Sequence, residues 1–405
     1  MATLTIRRPA APIRATIELP RSKSVSNRAL IAAALAGDLA CIGHLSDADD
    51  TRILHRLLRE RPRVMHCGLG GTTFRFLLAW AAVQRGGTHV ITGDAKLLER
   101  PHDALIDALR KLGAMIERTA EGYRVDGVRS DGGTVAFDSP MSSQYLSALM
   151  LVAPLMDKGL RIAWRGTQLS RPYVEMTAQV MRHFGAEVEV GAEAITVAPG
   201  RYEAKPFDVP CDWSAAAFWY EIVALAEDAQ VELVGLRKDA LQGDVAVAAL
   251  LGNQVTTDPT ARGLLLRKYL PGVPKGIAPT IDLQATPDLF QPLAFTLAAL
   301  GLPTTFTGLH NLGVKETDRI AAVAGTLSMM DVRVRRGEGA LAIAGRAGIK
   351  DVAWAVRGDH RMAMGLAPLA LVAGRITLRD PEVVTKSYPG FWEDLRKAGF
   401  EVDLG

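Results

Sequence analysis

The sequence predicts a two-domain α/β protein built from six similar units. Three observations predict it: a length too great for one core, a fixed internal repeat, and two alternating kinds of helix. At 405 residues the chain exceeds what a single hydrophobic core usually holds, so two domains are expected. The repeat is carried by "RPHDALIDALRKLGAMIE", "RPYVEMTAQVMRHFGAEVEV", "GDVAVAALLGNQVTT", "KETDRIAAVAGTLSMMDVRVR" and "KSYPGFWEDLRKAGFEVDL". These segments begin at Arg100, Arg171, Gly243, Lys315 and Lys386, spaced 71, 72, 72 and 71 residues apart. "DADDTRILHRLLRE", from Asp47, reads as a shortened sixth copy. A constant period means a repeated supersecondary unit.

Each copy reads as a polar start, an amphipathic helix of about twelve residues and a short β-like run. Between the copies lies a second helix type: "NRALIAAALAG", "FRFLLAWAAVQ", "SSQYLSALMLVAPL", "WSAAAFWYEIVALA", "LFQPLAFTLAALG" and "HRMAMGLAPLALVAG". Helices apolar nearly all round belong inside, with the amphipathic set packed around them. Six units fall into two halves of three. The first domain is expected over 20–212, and the second over 1–19 together with 213–405. The crossings, near Leu19 to Arg21 and Pro210 to Trp213, contain no Gly/Ser linker and read as a two-strand hinge.

Composition excludes several functions. With 48% hydrophobic and 22% charged residues the chain is an ordinary globular protein, and a net charge of +3 is too small for a nucleic-acid reader. Cys41, Cys67 and Cys211 are far apart and form no C-x-x-C pair, which fits a reducing cytoplasm and excludes a zinc site. The N-terminal stretch lacks an apolar signal region and no apolar run reaches membrane-spanning length. A soluble, cytoplasmic protein with no cofactor and no metal is expected.

The unusual polar residues collect at helix starts. "ELPRSKSVSNRALIAAALAG" places Lys23, Ser24, Ser26 and Arg28 at one such start, where helix dipole preference is for acids. An external anion would complete that arrangement, although Ser24 or Ser26 as a plain N-cap is the simpler alternative. "GGTTFR" supplies Gly71 and Arg75, "ERP" supplies Arg100, "MSSQ" supplies Ser142, Ser143 and Gln144, and "LSRPY" supplies Ser170, Arg171 and Tyr173. Gly-Gly-Thr-Thr is no Walker loop, because no Gly-Lys-Ser/Thr follows. Ser142 also suits an ordinary cap. In the second half "TPD" gives Asp288, "HNLGVKETDR" gives Asn311, Lys315, Glu316 and Arg319, "GDHR" gives Asp359, His360 and Arg361, and "TKSYP" gives Lys386. Lys315, Glu316 and Arg319 read equally as a solvated charge cluster, and Asp-His-Arg at the edge of an apolar helix reads equally as a buried ion pair. His360 has no second His or Cys at metal spacing.

Taken in order, "LPRSKSVSNRAL", "GTTFR", "ERP", "SSQYL", "SRPY", "TPD", "NLGVKETDR", "GDHRMAM" and "TKSYPGF" resemble the 5-enolpyruvylshikimate-3-phosphate synthases over essentially the whole chain. The resemblance implies a two-domain inside-out α/β barrel, each domain three βαβαββ units, whose inner helices point at an interdomain cleft that closes on substrate. It implies transfer of the enolpyruvyl group of phosphoenolpyruvate to shikimate 3-phosphate, inhibition by glyphosate competing with phosphoenolpyruvate, and a monomer whose only partners are small molecules. Shikimate 3-phosphate would be held by Lys23, Ser24, Arg28, Ser142, Ser143, Gln144, Ser170, Tyr173, Asp288, Asn311 and Lys315. Phosphoenolpyruvate would be held by Lys23, Gly71, Arg100, Gln144, Arg319, Arg361 and Lys386. Lys23, Asp288 and Glu316 would divide the proton transfers, with no metal.

The chain departs from that family at three places. Leu69-Gly70 stands where Asn-Ala is common, Phe76 replaces a usual Pro, and "LLRE" runs straight into "RPRVMHCG", so the first unit lacks room for a strand pair. A trimmed edge is expected there. Two rival readings are an enolpyruvyl transferase acting on UDP-N-acetylglucosamine, whose reactive-cysteine loop and Lys-Asn start are missing here, and a non-catalytic phosphometabolite-binding relative, which would have no need of Asp288 and Glu316. Cys67 reads as a small buried residue.

Overall fold

In the computed structural model the chain divides into two compact units, Arg21–Val209 and Met1–Pro20 with Pro210–Gly405. The structure describes residues 2–138, 142–166, 170–238, 241–269 and 279–405. Among these no helix is long and apolar enough to cross a membrane.

Each unit is organised around three helices that touch one another. In the first unit they are Lys23–Ala36, Gly71–Ala82 and Ser143–Val152, and in the second Trp213–Leu225, Phe290–Leu300 and His360–Leu366. Trp213–Leu225 is buried at every position except Ser214, and Gly71–Ala82 at every position except Thr72. Burial on all sides is what their uniform apolarity dictates. The amphipathic helices Asp49–Glu60, Asp103–Lys111 and Arg171–His183 lie against the inner three of the first unit, each with one buried stripe.

The sheets repeat a single pattern. In the first unit Val64–His66 runs parallel to Thr88–Thr92, which pairs antiparallel with Tyr123–Asp126, itself antiparallel to Met115–Arg118. Gly133–Phe137, Leu160–Trp164, Ala194–Val197 and Val188–Val190 repeat that order. A parallel pair needs a crossover helix, whereas the antiparallel pairs close through short turns, so the pattern is what one strand-helix-strand-helix-hairpin unit produces. The second unit holds three such sheets. Ile13–Glu18 leads one, beside Ala229–Val234. Thr280–Asp282 and Thr304–Thr307 lead another. In the last, Ala353–Ala355 and Arg375–Arg379 are followed by Thr3–Arg7, from the start of the chain, and then by Glu401–Leu404.

The shortened first unit keeps its two helices and, among the described residues, forms no sheet of its own. Only an isolated bridge, Ile42 to Phe207, marks the place. The chain passes from the helix ending at Glu60 to the strand starting at Val64, which leaves no length for a hairpin. A second difference concerns "GDVAVAALLGNQVTT". Its expected helix is reduced to a 3-10 turn, Gly243–Ala246, and one α-turn, Val247–Leu250. Gly252 and Asn253, both weak helix formers, follow at once.

Glu221 interrupts an otherwise apolar helix. It is fully buried, and neither carboxyl oxygen has a hydrogen-bond partner. A neutral carboxyl so placed costs about 1–3 kcal/mol and an ionised one far more, so the group stays protonated and burial raises its pKa well above the usual 4.5. The folded chain therefore keeps a proton that the unfolded chain releases above that value. Stability drains away as pH rises through the window between the two, at about 1.4 kcal/mol per pH unit. Glu221→Gln should remove this slope: its advantage over the native chain in denaturant unfolding should grow between pH 5 and pH 8. A pH-independent difference would show that Glu221 is not held neutral.

Candidate active site

In the first unit the start of the helix Lys23–Ala36 gathers cations with few acids to answer them. Ser22 occupies the cap position without a side-chain bond, so neither Ser24 nor Ser26 is the cap; Ser26 instead accepts from the Ser46 amide at 2.9 Å. Lys23 lies 3.1 Å from Asp50, which sits in the first turn of the next helix. A methyl on Gly70 would come within 3.0 Å of Thr73 Oγ1 and 3.1 Å of that same carboxylate, so the glycine sits tightly against both.

Arg28 is nearly fully buried, at 2% exposure. Its Nε donates to Thr177 Oγ1 at 2.7 Å, Nη1 to the Ser24 carbonyl at 2.7 Å and Nη2 to Ser147 Oγ at 3.2 Å. Every one of these acceptors is neutral. The rings of Phe76 and Tyr173 lie 5.5 and 5.7 Å from the guanidinium carbon. Burial lowers the Arg28 pKa to about 10, so the group still carries its charge at neutral pH.

A second cluster in this unit forms around the helix Gly71–Ala82. Arg75 Nη1 donates to Gln144 Oε1 at 2.6 Å and Nη2 to the Pro101 carbonyl at 3.1 Å. Tyr145 Oη donates to that same carbonyl at 2.6 Å, fixing the turn that presents Arg100. A β-carbon on Gly71 would lie 2.7 Å from Arg100 Nη1 and 3.0 Å from Arg75 Nη1, so both guanidiniums press against the helix start and would have to shift to admit one. His102 next door is held neutral, its pKa lowered to about 3 by burial and by Arg75. Ser142 caps its helix by accepting from the Gln144 amide at 3.3 Å, with Ser143 in the first turn behind it. Ser170 is buried with φ of 58°, and its carbonyl accepts from the Tyr173 amide at 3.0 Å. Cys67 is buried and burial pushes its thiol up, which makes it inert.

The second unit concentrates charge of both signs. Arg319, at 2% side-chain exposure, donates through Nε to Asp359 at 2.8 Å, through Nη1 to Asp288 at 2.9 Å and through Nη2 to Glu316 at 2.9 Å. Lys386 meets the other oxygen of Glu316 at 3.0 Å, and Arg361 meets the other oxygen of Asp288 at 3.0 Å. Burial alone would lower the pKa of Arg319; Asp359, Glu316 and Asp288 together hold it above its usual value. Asp359 also caps its helix, accepting from the Arg361 amide at 2.9 Å. Close by, Asp244 accepts from Ser214 and is pushed up to about 7 by burial and by Asp288. Asn311 and Lys315 flank the 3-10 turn Leu312–Val314, just ahead of Glu316.

Of the residues expected from sequence, Ser24 and Tyr173 lie at Arg28, and three further groups form. Lys23 pairs with Asp50; Gly71, Arg100 and Gln144 meet through Arg75; and Asp288, Glu316, Arg319, Arg361 and Lys386 form one network. The Asp359 reading as part of a buried ion pair is the one realised. Sequence reasoning assigned no role to Asp50, Asp244, Ser147 or Thr177. Asp50 looks like an ordinary first-turn acid, and nothing local marks the other three.

The family model for EPSP synthase (3-phosphoshikimate 1-carboxyvinyltransferase) matches residues 7–61 and 59–395. The chain is 40% identical over 404 residues to the 3-phosphoshikimate 1-carboxyvinyltransferase of Bacteroides fragilis, covering 97% of each. It is 34% identical to the Methanospirillum hungatei protein of that name, over 95% of this chain and 96% of the other. Among solved structures, EPSP synthase from Acinetobacter baumannii superposes with a TM-score of 0.79 at 23% identity, covering all of both chains. The enolpyruvyl transferase NikO from Streptomyces tendae superposes at 0.72 with 18% identity, which extends the likeness of fold. The repeating sheet pattern, the ordered motifs and these matches along the full length agree: the chain belongs to the EPSP synthase family.

Proposed function

We propose that this protein transfers the enolpyruvyl group of phosphoenolpyruvate to the 5-hydroxyl of shikimate 3-phosphate, releasing phosphate. The observation that carries the reading is Arg28: a buried guanidinium whose hydrogen-bond acceptors are all neutral is suited to an anionic ligand. Lys23, Ser24, Arg28 and Tyr173, with Ser142, Ser143 and Ser170, supply the shikimate 3-phosphate side from the first unit. Gln144, Asp288, Asn311 and Lys315 complete the proposed set for that substrate. Lys23, Gly71, Arg100, Gln144, Arg319, Arg361 and Lys386 are the residues suited to hold phosphoenolpyruvate.

An enol ether carbon becomes electrophilic only when its CH₂ is protonated, so the reaction needs an acid at that carbon and a base at the sugar hydroxyl. The hydroxyl oxygen then bonds to C2 of phosphoenolpyruvate and its proton passes to the base. In the second step the bond from C2 to the phosphate oxygen breaks, and the added methyl proton is returned. Asp288 and Glu316 suit the two proton transfers. Lys386, 3.0 Å from Glu316, offers a proton path to that carboxylate. The cations stabilise charge on the departing phosphate. Transfer to UDP-N-acetylglucosamine is not favoured, since the relatives matched over the full length carry the shikimate name.

A phosphate-release assay tests the reaction. Release is expected with phosphoenolpyruvate and shikimate 3-phosphate together, before and after chelation, and not when UDP-N-acetylglucosamine replaces the latter. No release from the first pair would overturn the reading. Glu316→Gln and Asp288→Asn should each lower kcat by roughly 10²–10⁴. Near-native turnover would remove that residue from the chemistry. Lys23→Ala should raise KM for both substrates. Asp359→Ala leaves Arg319 paired with Asp288 and Glu316 but strips its buried Nε of that acceptor, and should lower stability by about 1–3 kcal/mol. Breaking the exposed Arg14–Asp228 pair should cost under about 1 kcal/mol, and denaturant titration compares the two.

A further inference from the structure

We propose that Phe76 is a positioning residue for substrate binding, acting through Arg28; the proposal rests on the reading of Arg28 as a shikimate 3-phosphate contact. Phe76 lies on the inner helix Gly71–Ala82, is 1% exposed, and holds its ring 5.5 Å from the Arg28 guanidinium carbon. That separation is within the range of a cation–π contact, which is strongest where water is excluded.

The hydrogen bonds of Arg28 explain what such a ring does. Among the described residues Thr177, Ser24 and Ser147 engage one N–H each on Nε, Nη1 and Nη2, which leaves two of the five donors for a ligand. Those three bonds pull on the edges of the guanidinium plane and do nothing for its faces. Phe76 and Tyr173 are the rings placed against it. A proline at position 76 would present no aromatic ring to the cation. The aromatic side chain holds the plane at its tilt and keeps water from the charge, so the attraction to an anion is not diluted by solvent. Because the guanidinium is buried and its acceptors are neutral, that undiluted charge is its means of binding.

The test is calorimetric titration of shikimate 3-phosphate into the full-length protein without phosphoenolpyruvate, so that no turnover is needed. Phe76→Leu should raise Kd about three- to tenfold, the effect of losing one desolvated cation–π contact. KM for phosphoenolpyruvate should stay within about twofold. Incorporating 3,4,5-trifluorophenylalanine at position 76 keeps the shape of the ring and withdraws its π density. Kd should again rise while thermal stability holds. Arg28→Lys should weaken binding by itself, and adding Phe76→Leu to it should cost little more, because the two act on one contact. If Arg28→Lys weakens binding but neither change at position 76 does, Phe76 only fills space and the proposal falls. If Arg28→Lys leaves Kd unchanged, the reading of the Arg28 site falls first.

Discussion

A guanidinium removed from water must be answered by something, and the two buried arginines of this protein are answered in opposite ways. Arg319 receives three carboxylates, each at hydrogen-bond distance, and becomes the hub of a network reaching Lys386 and Arg361. Arg28 receives two hydroxyls, a carbonyl and two aromatic faces. The first arrangement is complete in itself and holds groups in fixed relation. The second stores an unanswered charge, which only the packing of an inner helix bundle keeps in place. Desolvating a charge of this size without a counter-ion costs several kcal/mol, and the burial of the surrounding apolar helices is what sustains it.

The inner helices make both arrangements possible. Their uniform apolarity buries them on every side, so any polar side chain in their first turns is carried to the edge of the core rather than out to solvent. A Lys or Arg at such a position is held by its own backbone, and its side chain loses little freedom on meeting a ligand. The glycines at 70 and 71 extend the same logic. The first packs closely against Thr73 and the carboxylate of Asp50, and the second against two guanidiniums that a methyl group would push aside.

Much of this was legible in the sequence. The spacing of Arg100, Arg171, Gly243, Lys315 and Lys386 gave away the repeat, because each copy needs the same length to cross a helix and return through a hairpin. The inner helices were legible because a segment such as "WSAAAFWYEIVALA" has no face to show to water. The identity of the ion-pair partners was not. Asp50 and Lys23 are 27 residues apart, and Asp359 and Arg319 are 40 apart, so no local pattern joins them. The short turn at Gly243–Leu250 reads as a full helix in the sequence because apolar spacing persists past the point where Gly252 and Asn253 end it. Asp244 is not marked locally for a related reason: its pKa is raised by burial and then by Asp288, on a distant stretch of chain.

The strand Thr3–Arg7 has a consequence for biogenesis. Thr5 bonds to Thr377, 372 residues away in sequence, and the neighbouring strand on its other side is Glu401–Leu404. As the chain leaves the ribosome, residues 21–209 can complete their own core while this first strand has no place to go. Its partners are translated some 372 residues later. A segment of alternating Leu and Ile with exposed backbone therefore waits through most of synthesis, and slow elongation should leave it open to chaperone capture.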